Sequence, residues 1–154
     1  MKVTLSYPDM NDILTIDDLK KKIGRPWLKL EYPVESGMVR KYADAVGDCN
    51  TRWQGAGAEM PPPMIATLGF ECAISALLGL SSAVLHGSTD LEIFTPVKVG
   101  DTITVTAVIA AIRERQMSGT NMAFITLQKE YINQRGEKVA SCKQLAMVRQ
   151  GGGA

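Results

Sequence analysis

Between Ala83 and Val148 apolar residues recur at every second position. Ile103, Val105, Ala107 and Ile109 alternate with Thr102, Thr104 and Thr106, and Ala123, Ile125 and Leu127 repeat the pattern after Leu91 and Ile93. A period of two is the signature of half-buried strands. Gly100-Asp101, Ser118-Gly119 and Asn133 to Gly136 interrupt the pattern at hairpin spacing, so consecutive β-hairpins are predicted, the last strand running from about Glu137 to Val148. Upstream the period is helical. Thr15 with Asp18 is a cap-like start for a short helix ending at Gly24, and Trp27 to Val34 alternates as a strand. Ser36 is expected to cap a second helix whose apolar face is Val39, Tyr42, Ala43 and Val46, with Gly47 stopping it. Residues 49–61 carry no period and read as a loop, closed by Pro61-Pro62-Pro63.

The third helix, over residues 63–80, differs from the others. Ile65, Leu68, Cys72, Ala76 and Leu80 face one way, while Ala66, Phe70, Ala73 and Leu77 cover most of the remainder. A helix apolar on nearly every side belongs inside the protein. The packing solution is an α+β domain in which the antiparallel sheet curls around this helix and makes it the least exposed element. One domain over residues 1–150 and a flexible tail at 151–154 are expected.

Composition narrows the class. With 17 basic and 16 acidic residues the net charge is +1, and no basic run exceeds Lys20-Lys21-Lys22, so a nucleic-acid partner is not expected. Three cysteines form no CxxC pair and the single histidine, His86, has no ligand-spaced companion, which implies free thiols and no metal site. Pro8 and Asp9 stand where a secretory signal needs apolar residues, and the apolar stretch from Pro63 to Leu80 contains Glu71, so no membrane span and a cytoplasmic location are expected.

The segments Tyr32-Pro33-Val34-Glu35 and Val39 to Asn50, with Pro62-Pro63, Leu85-His86-Gly87, Phe94 to Asp101 and Tyr131 to Glu137, resemble MaoC-like dehydratases and (R)-specific enoyl-CoA hydratases. The likeness is greatest to the N-terminal half-domain of two-domain fatty-acid dehydratases and covers about residues 20–148. It implies a hot-dog fold, paired domains, and addition or removal of water on an acyl thioester of coenzyme A or acyl carrier protein, with no further cofactor. In the active members a Gly-Asp-x-Asn-x-x-His loop supplies an aspartate and a histidine that hold and deprotonate the water. Backbone N–H groups at the start of the central helix stabilise the enolate oxygen.

Here the loop reads Gly47-Asp48-Cys49-Asn50-Thr51-Arg52-Trp53, so tryptophan stands at the histidine position, and indole cannot act as a base. The resemblance makes Asp48 the catalytic candidate and places Asn50, Trp53, Pro63 and Met64 on the substrate-binding side. Asp48 either caps the loop or retains a part in positioning water or substrate. Trp53 is a packing or acyl-tunnel residue, with a polar role for its N–H as the lesser reading. Glu71, the one charged residue on the central helix, must face solvent, a partner or a ligand. It is the alternative catalytic candidate, since some hot-dog thioesterases use a carboxylate on this helix, or else a salt-bridge residue at a dimer seam. Cys49 beside Asp48 is not expected to be a reactive thiolate, and His86 is read as a structural strand residue. Arg113 and Arg115, expected in a hairpin turn, either meet coenzyme A phosphates or are simply solvated.

The leading expectation is an acyl-thioester-binding subunit of an enoyl-CoA hydratase or 3-hydroxyacyl dehydratase, a lyase of fatty acid metabolism with an incomplete Asp/His dyad. It would associate as a homo- or hetero-oligomer with a histidine-bearing MaoC-like subunit. The alternatives are a self-sufficient hydratase or hot-dog thioesterase, and a non-catalytic acyl-CoA binding module.

Overall fold

A computed structural model describes residues 15–80 and 83–150, so the expected tail at 151–154 lies outside the described residues. Helix α1 spans Ile16–Lys20 and is capped as its sequence suggests, the Thr15 hydroxyl accepting from the Asp18 amide. Strand β1 (Pro26–Pro33) leads to α2 (Ser36–Val46). Ser36 is not its cap: Glu35 holds that position without a side-chain bond, because the extended residue comes one place earlier than expected. Two short 3-10 helices follow, Thr51–Trp53 and Pro62–Thr67, then α3 (Phe70–Leu78). Strands β2 (Val84–Ile93), β3 (Thr102–Met117), β4 (Thr120–Asn133) and β5 (Lys138–Gln150) complete the chain.

The five strands form one sheet in the order β1-β3-β4-β5-β2, every neighbouring pair antiparallel. The β3–β4 hairpin turns on Ser118 and Gly119, both with positive φ, 49° and 78°, as a tight two-residue connection requires. Alternation then decides the faces. Ile103, Val105, Ala107 and Ile109 on β3 and Ala123, Ile125 and Tyr131 on β4 are fully buried beneath α3 and the 3-10 segment before it.

The central helix departs from expectation in continuity and exposure. Instead of one helix over 63–80, a 3-10 turn ends at Thr67, Leu68 is extended, and Gly69 adopts a left-handed conformation with φ 73° before α3 starts. Only glycine takes that backbone without strain. The break is held from across the fold: Lys129 on β4, itself fully buried, donates to the carbonyls of Ala66 (2.9 Å) and Leu68 (3.2 Å). Those carbonyls would otherwise be buried without partners.

Helix α3 packs Ala73 and Leu77 against Ile109, Ala123, Ile125 and Val148. Burial of Leu77 alone contributes roughly 2–3 kcal/mol. Its other side is open, with Phe70 38% and Leu78 51% exposed, so the least exposed elements are the middle strands and not this helix. The apolar residues that made it look wholly internal form a bare flank in the single chain.

Candidate functional site

Gly47 ends α2 in the left-handed conformation, φ 70°, and the Asp48 amide donates back to Ala43 O at 2.9 Å. The carboxylate of Asp48 is thereby aimed into the following loop, where both oxygens find partners. One accepts from the Asn50 amide at 3.0 Å and the other from the Trp53 indole N–H at 2.8 Å. Asn50 in turn caps the Thr51–Trp53 turn, its side-chain oxygen accepting from the Arg52 amide at 3.0 Å. The indole ring, 9% exposed, enters the main core cluster with Val39, Ala43, Met60 and Met64. Arg52 lies 5.5 Å from its centroid and pairs with Glu59, whose backbone forms an isolated antiparallel β-bridge with Lys98. The loop is therefore pinned at Asp48, Trp53 and Glu59.

A cleft of about 730 Å³ opens beside it, lined in part by Arg40, Asp44, Asp48, Cys49, Trp53 and Gln54. Among the described residues lining this wall Asp48 is the oriented carboxylate, and no histidine stands beside it. Indole only donates, and each Asp48 oxygen already accepts one bond, from the Asn50 amide or from the Trp53 indole. The arrangement can bind and shape but carries no acid–base relay of the Asp/His type.

The remaining candidates are dispersed. Pro63 is exposed and Met64 is buried; neither lines the cleft. The Met64 amide, looked to for an enolate oxygen, already donates to Pro61 O at 2.9 Å. Glu71 is exposed in the first turn of α3 and accepts from the Tyr32 hydroxyl at 2.7 Å. His86 sits on β2 with Thr89 3.2 Å from its Nε2. Cys49, Cys72 and Cys142 form no disulfide; Cys49 is exposed and the other two are buried. Among the described residues no three His, Cys, Asp or Glu side chains gather as metal ligands, and no helix is long and apolar enough to cross a membrane.

Sequence reasoning missed a polar cluster under the break in the central helix. The Tyr32 hydroxyl accepts from the Gly69 amide at 3.0 Å while donating to Glu71, and burial pushes its ionisation well above the ordinary tyrosine value. Burial likewise lowers the Lys129 ammonium. The available signal was Lys129 in phase with Ile125, Leu127 and Tyr131, a lysine at an inward position of a period-two strand.

Comparison with known proteins agrees with this architecture. The model of the FAS1-like dehydratase domain region matches residues 21–142. A UPF0336 protein of Streptomyces coelicolor is 31% identical over 124 residues, covering 71% of this chain and 80% of that protein. A MaoC-like dehydratase superposes with a TM-score of 0.69 at 19% identity over 86% of this chain and 44% of that one. The C-terminally truncated HadBC (3R-hydroxyacyl-ACP dehydratase) complex of Mycobacterium tuberculosis gives 0.63 at 16% identity, over 76% of this chain and 89% of that one. At such identities the superpositions establish the hot-dog fold, and the family match goes further: this chain belongs to the FAS1-like dehydratase domain region family.

Proposed function

We propose that this chain is the acyl-thioester-binding subunit of an enoyl-CoA hydratase or 3-hydroxyacyl-thioester dehydratase, the catalytic histidine coming from a second hot-dog subunit. The observation that carries this reading is the Trp53 indole donating to Asp48. The position at which the resemblance expects a base holds a group unable to accept a proton, and the neighbouring aspartate is engaged in fixing the loop. Losing a positioned histidine costs roughly a hundred- to ten-thousand-fold in proton transfer. The cleft beside Trp53, by contrast, remains large enough to take part in binding a ligand.

Two further features support partnership. One relative in fold, HadBC, is a dehydratase complex, not a lone chain. This chain also leaves apolar side chains uncovered on β2 and α3, with Leu85 55% and Leu78 51% exposed. Strand β2 is an edge strand, and unpaired edges invite pairing with another sheet.

The test is steady-state hydration of an enoyl-CoA by the purified chain alone and after mixing with a hot-dog subunit that carries an intact Gly-Asp-x-Asn-x-x-His loop. The mixture turns over while the chain alone is feeble. A kcat for the chain alone in the ordinary enzyme range of roughly 1–1000 per second, abolished by Asp48→Asn, would refute the proposal.

A further inference from the structure

The face of the sheet turned away from α3 holds a second groove, of about 680 Å³, and a slip in β3 furnishes its cationic end. Ile109 faces the core, and strict alternation from there would send residues 111, 113 and 115 inward too. The register instead shifts by one between Ile109 and Ala111. As a result Ile112 packs against the core and Glu114 reaches Lys20 on α1, while Arg113 and Arg115 project into the outer groove. A bulge of this kind re-aims every side chain that follows it. The two arginines therefore lie in a strand and not in a turn as their sequence suggested, roughly 7 Å apart on one face.

Phe124 pairs with Arg113 across the β3–β4 ladder and lines the groove. Lys143 on β5 lies two rows further along, with Asp90 and Glu92 of β2 on the far rim. Among the described residues none of these five charged side chains makes a hydrogen bond or an ion pair within its own chain, unlike Glu114, Glu130 and Asp101 elsewhere on the sheet. Arg113 and Arg115, opposite Phe124 and Met122 and not opposite a carboxylate, make an electrostatic site for an anion at their end of the groove, whereas Lys143 stands opposite Asp90. The mixed rim argues against a uniform polyanion, because Asp90 and Glu92 repel phosphate and accept from hydroxyl or amino groups.

We propose that this outer groove binds a phosphorylated nucleoside, with phosphate on Arg113 and Arg115 and the flat base against Phe124. None of these residues lines the Asp48 cleft, and the inference stands whether or not the chain holds an acyl group. The same chemistry has two sources, the nucleotide end of a coenzyme A thioester or a free nucleotide.

Isothermal titration of the full chain with coenzyme A, adenosine 3′,5′-bisphosphate, ATP and pantetheine distinguishes them. Saturable binding of coenzyme A and the bisphosphate, with ATP much weaker, identifies the coenzyme's nucleotide; equal binding of ATP identifies a general nucleotide site. In either case Arg113→Gln and Arg115→Gln each weaken binding about tenfold to a hundredfold, as expected for hydrogen bonds to a charged group, and added salt weakens it further. These positions are exposed, so thermal melting of the variants matches the parent, and Phe124→Leu serves as a second variant that leaves the charges intact while reducing affinity. Absence of saturable nucleotide binding up to millimolar concentration, binding unaffected by either arginine substitution, or pantetheine binding as tightly as coenzyme A overturns the proposal. Hydration by the mixed subunits is a separate readout, so its failure does not bear on this groove.

Discussion

The indole N–H of Trp53 donates to Asp48 at 2.8 Å, and the same carboxylate receives the Asn50 amide at 3.0 Å. Trp53 stands where the resemblance leads one to expect a histidine, and imidazole can take up a proton while indole cannot. Trp53→Phe keeps most of the ring in the core but strips the N–H from a carboxylate. A loss of about 1.5–3 kcal/mol in urea unfolding is expected. Trp53→His leaves a void among Val39, Ala43 and Met64 and does not raise hydration by the lone chain to the order of one turnover per second. A rate above that would place a complete dyad within this subunit.

If the proposed partner supplies the base, Asp48→Asn in the assembled pair is expected to loosen the loop and weaken acyl-CoA binding while kcat changes little. Glu71→Gln disturbs only the Tyr32 contact and leaves turnover near the parent value. If thioester hydrolysis is detected and disappears in Glu71→Gln but survives Asp48→Asn, the thioesterase alternative takes precedence.

The open β2 edge predicts association. Light scattering at micromolar concentration should show an oligomer, and Leu85→Lys, placing charge on the exposed edge, should shift it toward monomer with little change in circular dichroism. A parent protein that is monomeric throughout contradicts this.

Lys129 gives a prediction in stability. Lys129→Ala leaves the Ala66 and Leu68 carbonyls unpaired and opens a void, for a loss of about 2–5 kcal/mol in denaturant unfolding. Burial lowers the folded-state ionisation of this lysine, so between that lowered value and the unfolded value near 10.4 the unfolded chain binds more protons. Lys129 therefore makes stability rise with pH within that window, a contribution absent from the variant when the two unfolding profiles are subtracted.

Asp101 acts at the acid end. Burial pushes its carboxyl up, but the Gln134 amide, the Lys98 backbone N–H and the Arg135 guanidinium outweigh burial and hold it below the ordinary carboxylate value. Its folded value is depressed, so its stabilisation is present above about pH 3.9 and is lost as pH falls through the folded value. Asp101→Asn should lower stability at neutral pH by about 1–3 kcal/mol and flatten the acid limb of the unfolding profile.

The amino-acid sequence by itself determined the local features. Period-two alternation marked the strands, Ser118-Gly119 marked the tight hairpin, and Thr15 and Gly47 marked a helix start and stop, because each depends on residues adjacent in the chain. That tryptophan occupies position 53 of the Gly47-Asp48-Cys49-Asn50 loop was equally legible, since a motif position is a matter of spacing. Tertiary structure alone decided where the apolar 63–80 segment breaks: the carbonyls at the break are satisfied by Lys129, whose bonds span 63 and 61 residues, and the Gly69 amide by Tyr32, 37 residues away. It also decided the face of Arg113 and Arg115, because a one-residue slip against β4 inverts every later side chain and leaves little trace in the composition of β3. The pairing of Trp53 with Asp48 lies between these cases. Both residues stood in view five positions apart, but the bond exists only because Val39, Ala43 and Met64 draw the indole inward and turn its N–H toward the carboxylate.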